Sequence, residues 1–230
     1  MTRRTVFCPH SPLLFRELAG LVDAAADLRA ACRAAVAHLV ADASAVTVVG
    51  GADSGGPWDP ALEPDVRRFG TTDAPGGSGL PLSLGVGRRL LDEAGWTGPT
   101  RMHAVAWDAG RAETDRLARE IAADPETDAL LVLGEGSTRR GQSAPGFLDD
   151  RAFGFDDSLA AALAGGDAEA LLDIDVRLAE ELMVLGRPAV QVLAGVAATT
   201  GPVAEAVLDY RDDPFGVTYL VARWRFSEAG

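Results

Sequence analysis

The stretch "AVTVVGG", residues 45–51, decides the fold class, because a run of β-branched residues ends there in two glycines. A run that is apolar at consecutive positions predicts a strand buried on both faces of a sheet. Amphipathic helical patterns precede and follow it, over residues 21–42 and 81–95. Strands that alternate with helices predict an α/β fold, here a three-layer domain with a central parallel or mixed sheet flanked by helices.

The same reading extends along the chain and predicts one domain over residues 1–230. Further strands are expected in "RTVFC" (4–8), "RMHAVAW" (101–107), "DALLVLGEG" (128–136), "AVQVLAG" (189–195) and "GVTYLVARW" (216–224). Further helices are expected over 111–124, 155–163, 167–186 and 203–208. The long Gly- and Pro-rich stretch 52–79 is interpreted as a loop that covers part of a site.

Composition excludes several functions. The net charge of −13 repels phosphate backbones and anionic lipid surfaces, so neither nucleic acid nor a membrane is expected as a partner. The chain contains no Lys and no Asn, which excludes a Schiff-base lysine, a P-loop lysine and an Asn oxyanion donor. The two cysteines form no C-x-x-C motif. With neither a leader pattern nor an apolar run near eighteen residues, the expected location is cytoplasmic.

Ligands of α/β sheets bind beyond the carboxyl ends of the strands, so the residues after each strand are the candidates for a site. They are Cys8, His10, Asp53, Trp107, Asp108, Glu135, Ser137 and Gly195. His10 lies between two prolines in "VFCPHSPLLF", residues 6–15, where Ser11 and Pro12 are expected to start a helix. It is either a functional group or a histidine hydrogen-bonded at a strand end. His38 and His103 are interpreted as structural.

Three of these residues form a candidate metal site. His10, Asp53 and Glu135 would supply one imidazole and two carboxylates, a set suited to Mn, Fe(II) or Zn. Asp53 is alternatively an Asx-turn residue, since glycines flank it. Glu135 alternatively caps the next helix or pairs with Arg139.

The turn "GEGSTRRG", residues 134–141, is a candidate anion site. Ser137, Thr138, Arg139 and Arg140 could present amides and a guanidinium to a carboxylate or a phosphate. The alternative is a solvated arginine pair that is screened by two acidic residues, 149 and 150.

Five blocks carry a resemblance to a known family. They are "CPHSPLL", "VVGGADS", "LPLSLGVGRRLLDEAGW", "LLVLGEGSTRRG" with the "SAPGFLDDRA" that follows, and "QVLAGVA". In this order, and over nearly the whole chain, they resemble the LigB-like family of class III extradiol ring-cleavage dioxygenases. That superfamily includes the catalytic subunit of protocatechuate 4,5-dioxygenase and the Memo-like proteins.

The resemblance implies an Fe(II) site with two His ligands and a carboxylate, plus an acid/base His in a Gly-x-x-Ser-His turn. His10 matches the first ligand. Asp53 stands where the second His is expected, and Thr138 stands where the acid/base His is expected. The "LAGVA" stretch offers no carboxylate before Glu205. The catalytic set is therefore degenerate.

Two functions follow as expectations. The first is a metal-dependent oxygenase acting on a small aromatic compound, with Fe(II) or another divalent metal as cofactor and His10, Glu135 and Ser137 as candidate catalytic residues. The second is a non-catalytic module on the same fold. It would bind a small aromatic or anionic molecule or a partner chain, and a homo-oligomer is one such assembly.

Overall fold

The computed structural model describes residues 4–18, 23–66, 69 and 79–227. The strands are β1 (Arg4–Cys8), β2 (Val46–Ala52), β3 (Gly56–Trp58), β4 (Thr100–Ala106), β5 (Ala129–Leu133), β6 (Val203–Asp212) and β7 (Tyr219–Phe226). The α-helices are α1 (Ala26–Val40), α2 (Leu82–Glu93), α3 (Arg111–Ala123), α4 (Arg151–Gly165), α5 (Ala168–Leu172), α6 (Val176–Glu181) and α7 (Arg187–Thr200). Two short 3-10 helices, Pro12–Leu14 and Arg16–Leu18, follow β1.

These strands form one mixed sheet with the order β3-β4-β2-β5-β1-β7-β6. The four central strands, β4, β2, β5 and β1, are parallel to one another. The outer strands β3, β7 and β6 pair antiparallel. The predicted α/β class with a mixed central sheet is therefore confirmed.

Alternating side chains of the central strands divide the core into two layers. On one face, Val48 and Leu131 pack with apolar residues of α1 and α2. On the other, Val49 and Leu130 pack with residues of α3, α4 and α7. Helices thus cover both faces, which gives the predicted three layers. Cys8 belongs to the first layer, together with Cys32 of α1, and both are free and buried.

The sequence predictions are wrong near the C-terminus. Residues 189–195, predicted as a strand, lie inside α7, so Gly195 follows no strand. Residues 203–208, predicted as a helix, belong to β6. The predicted helix 167–186 is divided into α5 and α6. Helix α7 is buried along most of its length, and a helix that is apolar on all sides has the same continuous apolar pattern as a buried strand.

The stretch 52–79 is more ordered than a loop where the structure describes it. It contains β3, which pairs with β4, and an isolated bridge between Pro64 and Leu80. Residues 67, 68 and 70–78 of this stretch lie outside the described residues, and its predicted role as a cover over the site stays a prediction. Among the described helices, none has the length and apolar character that a membrane span requires.

Candidate functional site

The centre of the candidate site is a pair formed by His10 and Glu135. Strands β1 and β5 are parallel neighbours whose last residues, Cys8 and Leu133, are paired in register. His10 and Glu135 each come two residues later, so the sheet delivers them to the same edge. His10 Nε2 lies 3.7 Å from Glu135 Oε1, and the two side chains are only 5% and 12% exposed. The structure therefore brings these two predicted site residues together.

Local backbone structure fixes both partners. Ser11 caps the first 3-10 helix, its hydroxyl accepting from the Leu13 amide at 3.3 Å, with Pro12 in the first turn. This is the start signal expected from the sequence. On the other side, a Cβ at Gly186 would overlap the backbone of Glu135. Glycine at 186 therefore lets the start of α7 pack directly on the residue that carries the carboxylate.

The electrostatics of the pair follow from its burial. Burial raises the pKa of Glu135, and the nearby His10 partly opposes this by lowering it. His10 Nδ1 and Glu135 Oε2 are buried and have no hydrogen-bond partner among the described residues. Such atoms are costly in an interior unless something else binds them.

Tyr219 adds a hydroxyl to this environment. It is buried in β7 at 3% exposure. Burial, followed by the negative charge of Glu135, raises the pKa of Tyr219 to about 12, although the Ser11 contact lowers it. The phenol therefore stays protonated near neutral pH and serves as a neutral polar neighbour of the pair.

Trp107, at the end of β4, forms the aromatic wall of the site. Its ring centroid lies 5.4 Å from that of His10, with the planes tilted by 36°. The indole Nε1 donates to Asp53 Oδ1 at 3.2 Å. The ring lies against Gly51, where a Cβ would overlap it. Trp107 therefore links the ends of β1 and β2 across the sheet edge.

The predicted metal ligands do not form one three-ligand cluster. Asp53 lies at the same edge, but it accepts the indole proton of Trp107, the ring that also contacts His10. Over residues 4–18, 23–66, 69 and 79–227, no group of three or more His, Cys, Asp or Glu side chains has an arrangement that would hold a metal ion. The described residues therefore do not fit the facial triad that the resemblance implies.

The predicted anion site already holds a carboxylate of the chain itself. Asp156, fully buried on α4, accepts from the Ser137 amide at 2.8 Å and from the Ser137 hydroxyl at 2.5 Å. The flanking amides are also paired: Gly136 donates to the Thr218 carbonyl and Thr138 to the Leu182 carbonyl. These donors are not open to an external anion. The Ser137 hydroxyl, a candidate catalytic group, is likewise committed to Asp156.

The two arginines of that turn are engaged as well. Arg139 donates to the carbonyls of Glu181 at 2.7 Å and Phe147 at 3.4 Å. Arg140 forms an ion pair with Asp213, and its guanidinium carbon lies 4.4 Å from the centroid of the Phe153 ring. Each arginine stabilises a neighbouring loop through these contacts, while the buried Nη1 of Arg140 has no hydrogen-bond partner among the described residues. Anion binding by these two guanidinium groups stays a prediction. Glu135 faces His10 and not Arg139, so that alternative pairing is wrong.

Sequence reasoning missed two polar residues of this region. Asp156 looks like part of a solvated acidic helix, yet Ala152, Leu159 and Leu163 share its face at helical spacing, and that periodicity could have identified it as buried. The sequence pattern predicts a strand at Tyr219 but does not place it in the site, because the order of the strands in the sheet is not readable from one sequence.

Comparison with known proteins adds the fold alone. No family model and no curated protein matches the chain. Among solved structures, the chain is similar to the uncharacterized protein JW3007 from Escherichia coli K12, with 15% identity and a TM-score of 0.58. The match covers 96% of this chain and 99% of that one. It supports the three-layer α/β architecture over nearly the whole length.

Proposed function

We propose that the protein is an extradiol dioxygenase-like protein that binds a small aromatic compound with an ionisable hydroxyl at the His10–Glu135 pair. One observation carries the proposal. His10 Nδ1 and Glu135 Oε2 are both buried, both without a partner among the described residues, and both at the sheet edge where α/β folds bind ligands. A phenolic hydroxyl, which can donate and accept, would satisfy such atoms.

The surroundings suit this ligand class. Trp107 offers an aromatic surface beside His10, and aromatic rings gain from offset or tilted contacts. Glu135, with its pKa raised by burial, can exchange a proton nearer to neutral pH than an ordinary carboxyl. The pair can therefore hold a phenol and share its proton, which is the chemistry that we assign to the site.

Ring cleavage is not part of the proposal. The resemblance implies Fe(II), yet the described residues do not fit a complete triad, so no step is assigned to a metal. Thr138 also stands in place of the acid/base His, whose help is typically worth about 10²- to 10⁴-fold in rate. With Fe(II) supplied, we expect no ring-opened yellow product from catechol or protocatechuate. A product formed at ordinary enzymatic rates would favour the oxygenase function instead.

Calorimetric titration with protocatechuate tests the binding. We expect saturable binding to the wild type, and about tenfold weaker binding for His10→Gln or Glu135→Gln, since each removes a hydrogen bond near a charged or titratable group. His103→Gln, on β4, is the matched control and should bind as the wild type does. Equal affinity in all four proteins would contradict the proposal. Metal content after anaerobic purification, compared with His10→Ala, tests the cofactor prediction separately.

A further inference from the structure

Arg187, at the start of α7, is a buried cation without an evident role in the pair itself. It is 2% exposed. Its Nη1 donates to the Ala109 carbonyl at 2.9 Å and to Gln191 Oε1 at 3.0 Å, and its Nη2 lies 3.5 Å from the Trp107 carbonyl. All three acceptors are uncharged. Two of them belong to the short segment between β4 and α3 that carries the Trp107 ring.

A positive charge is energetically unfavourable at this position. Burial lowers the pKa of Arg187 through the loss of hydration of the charged form, and the negative charges of Glu180 and Asp108 partly oppose this. The first turn of a helix is also the end at which the helix dipole disfavours cations. Replacement of a buried ion pair by apolar side chains of similar volume is often neutral or stabilising, so a buried charge is not by itself a requirement of packing. Packing alone therefore does not require a guanidinium here, whereas two carbonyls of one segment do require a donor.

The other contacts of Trp107 hold its ring and its backbone amide, and Arg187 is the donor to its backbone carbonyl. The indole is held on its edge by Asp53 and on its face by Gly51, and its backbone amide donates to the Ala52 carbonyl. The Trp107 carbonyl lies 3.5 Å from Arg187 Nη2 of α7, and the Ala109 carbonyl two residues later accepts from Nη1 of the same guanidinium. The planar guanidinium can bind two carbonyls at a fixed separation, which an ammonium cannot.

We propose that Arg187 is a positioning residue that fixes the segment 107–109 and so sets the Trp107 ring against His10. Gln191, one turn along α7, orients the guanidinium through its side-chain carbonyl, and its own amide donates to Leu172 at 3.4 Å. This rests on the proposed function insofar as Trp107 forms the wall of the ligand site. The geometry it predicts in the free protein can be measured without any ligand.

The first measurement is the NMR shift of the His10 Hε1 proton, which the Trp107 ring current perturbs at 5.4 Å. The chain has three histidines, so His38→Gln and His103→Gln assign the resonances. At fixed pH we expect Arg187→Met to move the His10 signal in the same direction as Trp107→Phe. The His38 and His103 signals should stay in place. Arg187→Lys should restore the signal in part, and Arg119→Met, on the exposed face of α3, should leave it unchanged.

Gln191→Met is a second variant for the same measurement, to be used if the Arg187→Met protein does not fold. It keeps the guanidinium and should give a smaller shift in the same direction. An unchanged His10 signal in folded Arg187→Met, or in Gln191→Met if the former is unfolded, overturns the proposal.

Protocatechuate titration forms the second arm. Arg187→Met should weaken binding about two- to tenfold, as loss of an aromatic contact would. If Trp107→Ala binds as tightly as the wild type, the proposed ligand site is wrong, while the NMR result still decides the role of Arg187.

Discussion

The carboxylate of Asp156 binds both the amide and the hydroxyl of Ser137, at 2.8 and 2.5 Å, in a place with no solvent exposure. The Thr218 hydroxyl donates to the same carboxylate at 2.7 Å, and Arg140 Nη1 lies 3.6 Å away. A side chain of α4 thus ties the turn after β5 to the start of β7. The turn is therefore a structural junction, although its sequence resembles an anion-binding loop.

Replacing Asp156 by Ala should destabilise the protein strongly. Three donors lose their acceptor in the interior, and Arg140 loses a nearby negative charge. Together these changes are expected to lower the free energy of unfolding by about 3–5 kcal/mol. Asp150→Asn, an exposed neighbour, should change it by less than about 0.5 kcal/mol. Urea unfolding measures both, and a small loss for Asp156→Ala would show that the junction contributes little.

The same variant should acquire the anion site that the wild type lacks. Asp156→Ala leaves the Ser137 and Thr218 donors around a space of carboxylate size, so formate should bind there and raise the melting temperature as its concentration rises. The wild type at equal ionic strength, and Asp156→Asn, in which an amide fills the space, are the controls. Equal stabilisation of all three proteins by formate would show a general salt effect and count against this prediction.

The pH dependence of stability should report Glu135. Its pKa is raised in the folded protein because burial penalises the carboxylate, so the folded state holds the proton more tightly than the unfolded state does. The associated stability is present below the ordinary glutamate pKa and is lost as pH rises through the raised value. The free energy of unfolding of the wild type should therefore fall relative to that of Glu135→Gln as the pH rises above the ordinary glutamate pKa.

Exposed Glu169→Gln is the control for this comparison, and its difference from the wild type should stay constant over the same range. Parallel curves for the wild type and Glu135→Gln would contradict the assignment.

Sequence patterns predicted most of the fold, because the apolar positions of a short segment indicate which of its side chains are buried. "AVTVVGG" and "DALLVLGEG" are apolar on consecutive positions because helices cover both faces of β2 and β5. The same pattern of consecutive apolar positions led to a wrong strand prediction inside helix α7. Its side chains from Arg187 to Leu193 are buried against α3, α5 and the sheet, so no polar face marks the helical period.

The prediction for strand β6 is wrong for the opposite reason, because its local composition favours a helix. "VAEAVLDYRD" is rich in Ala and acidic residues, which favour helices, and it lies at the sheet edge with most side chains partly or fully exposed. Its strand conformation comes from pairing with β7, a tertiary contact that overrides local propensity. The residues of the site also fall into a group that the sequence predicts and a group that it does not. Strand ends located His10 and Glu135, whereas Asp156 and Arg187 reach their partners from helices whose packing one sequence does not encode.

The contact between Gly51 and Trp107 provides the last prediction. A Cβ at position 51 would overlap the indole, so Gly51→Ala should displace the ring, break its hydrogen bond to Asp53 and lower the free energy of unfolding by about 1–3 kcal/mol. If the clash is the cause, the same substitution in a Trp107→Ala background should cost less by about 1 kcal/mol or more. Gly154→Ala on α4, where an added Cβ meets nothing within 4 Å, should be neutral or stabilising by up to about 1 kcal/mol. Urea unfolding of the four proteins of the cycle and of this control gives the coupling. An equal cost of Gly51→Ala with and without the indole would mean that the glycine is needed for the β2 backbone and not for the ring beside His10.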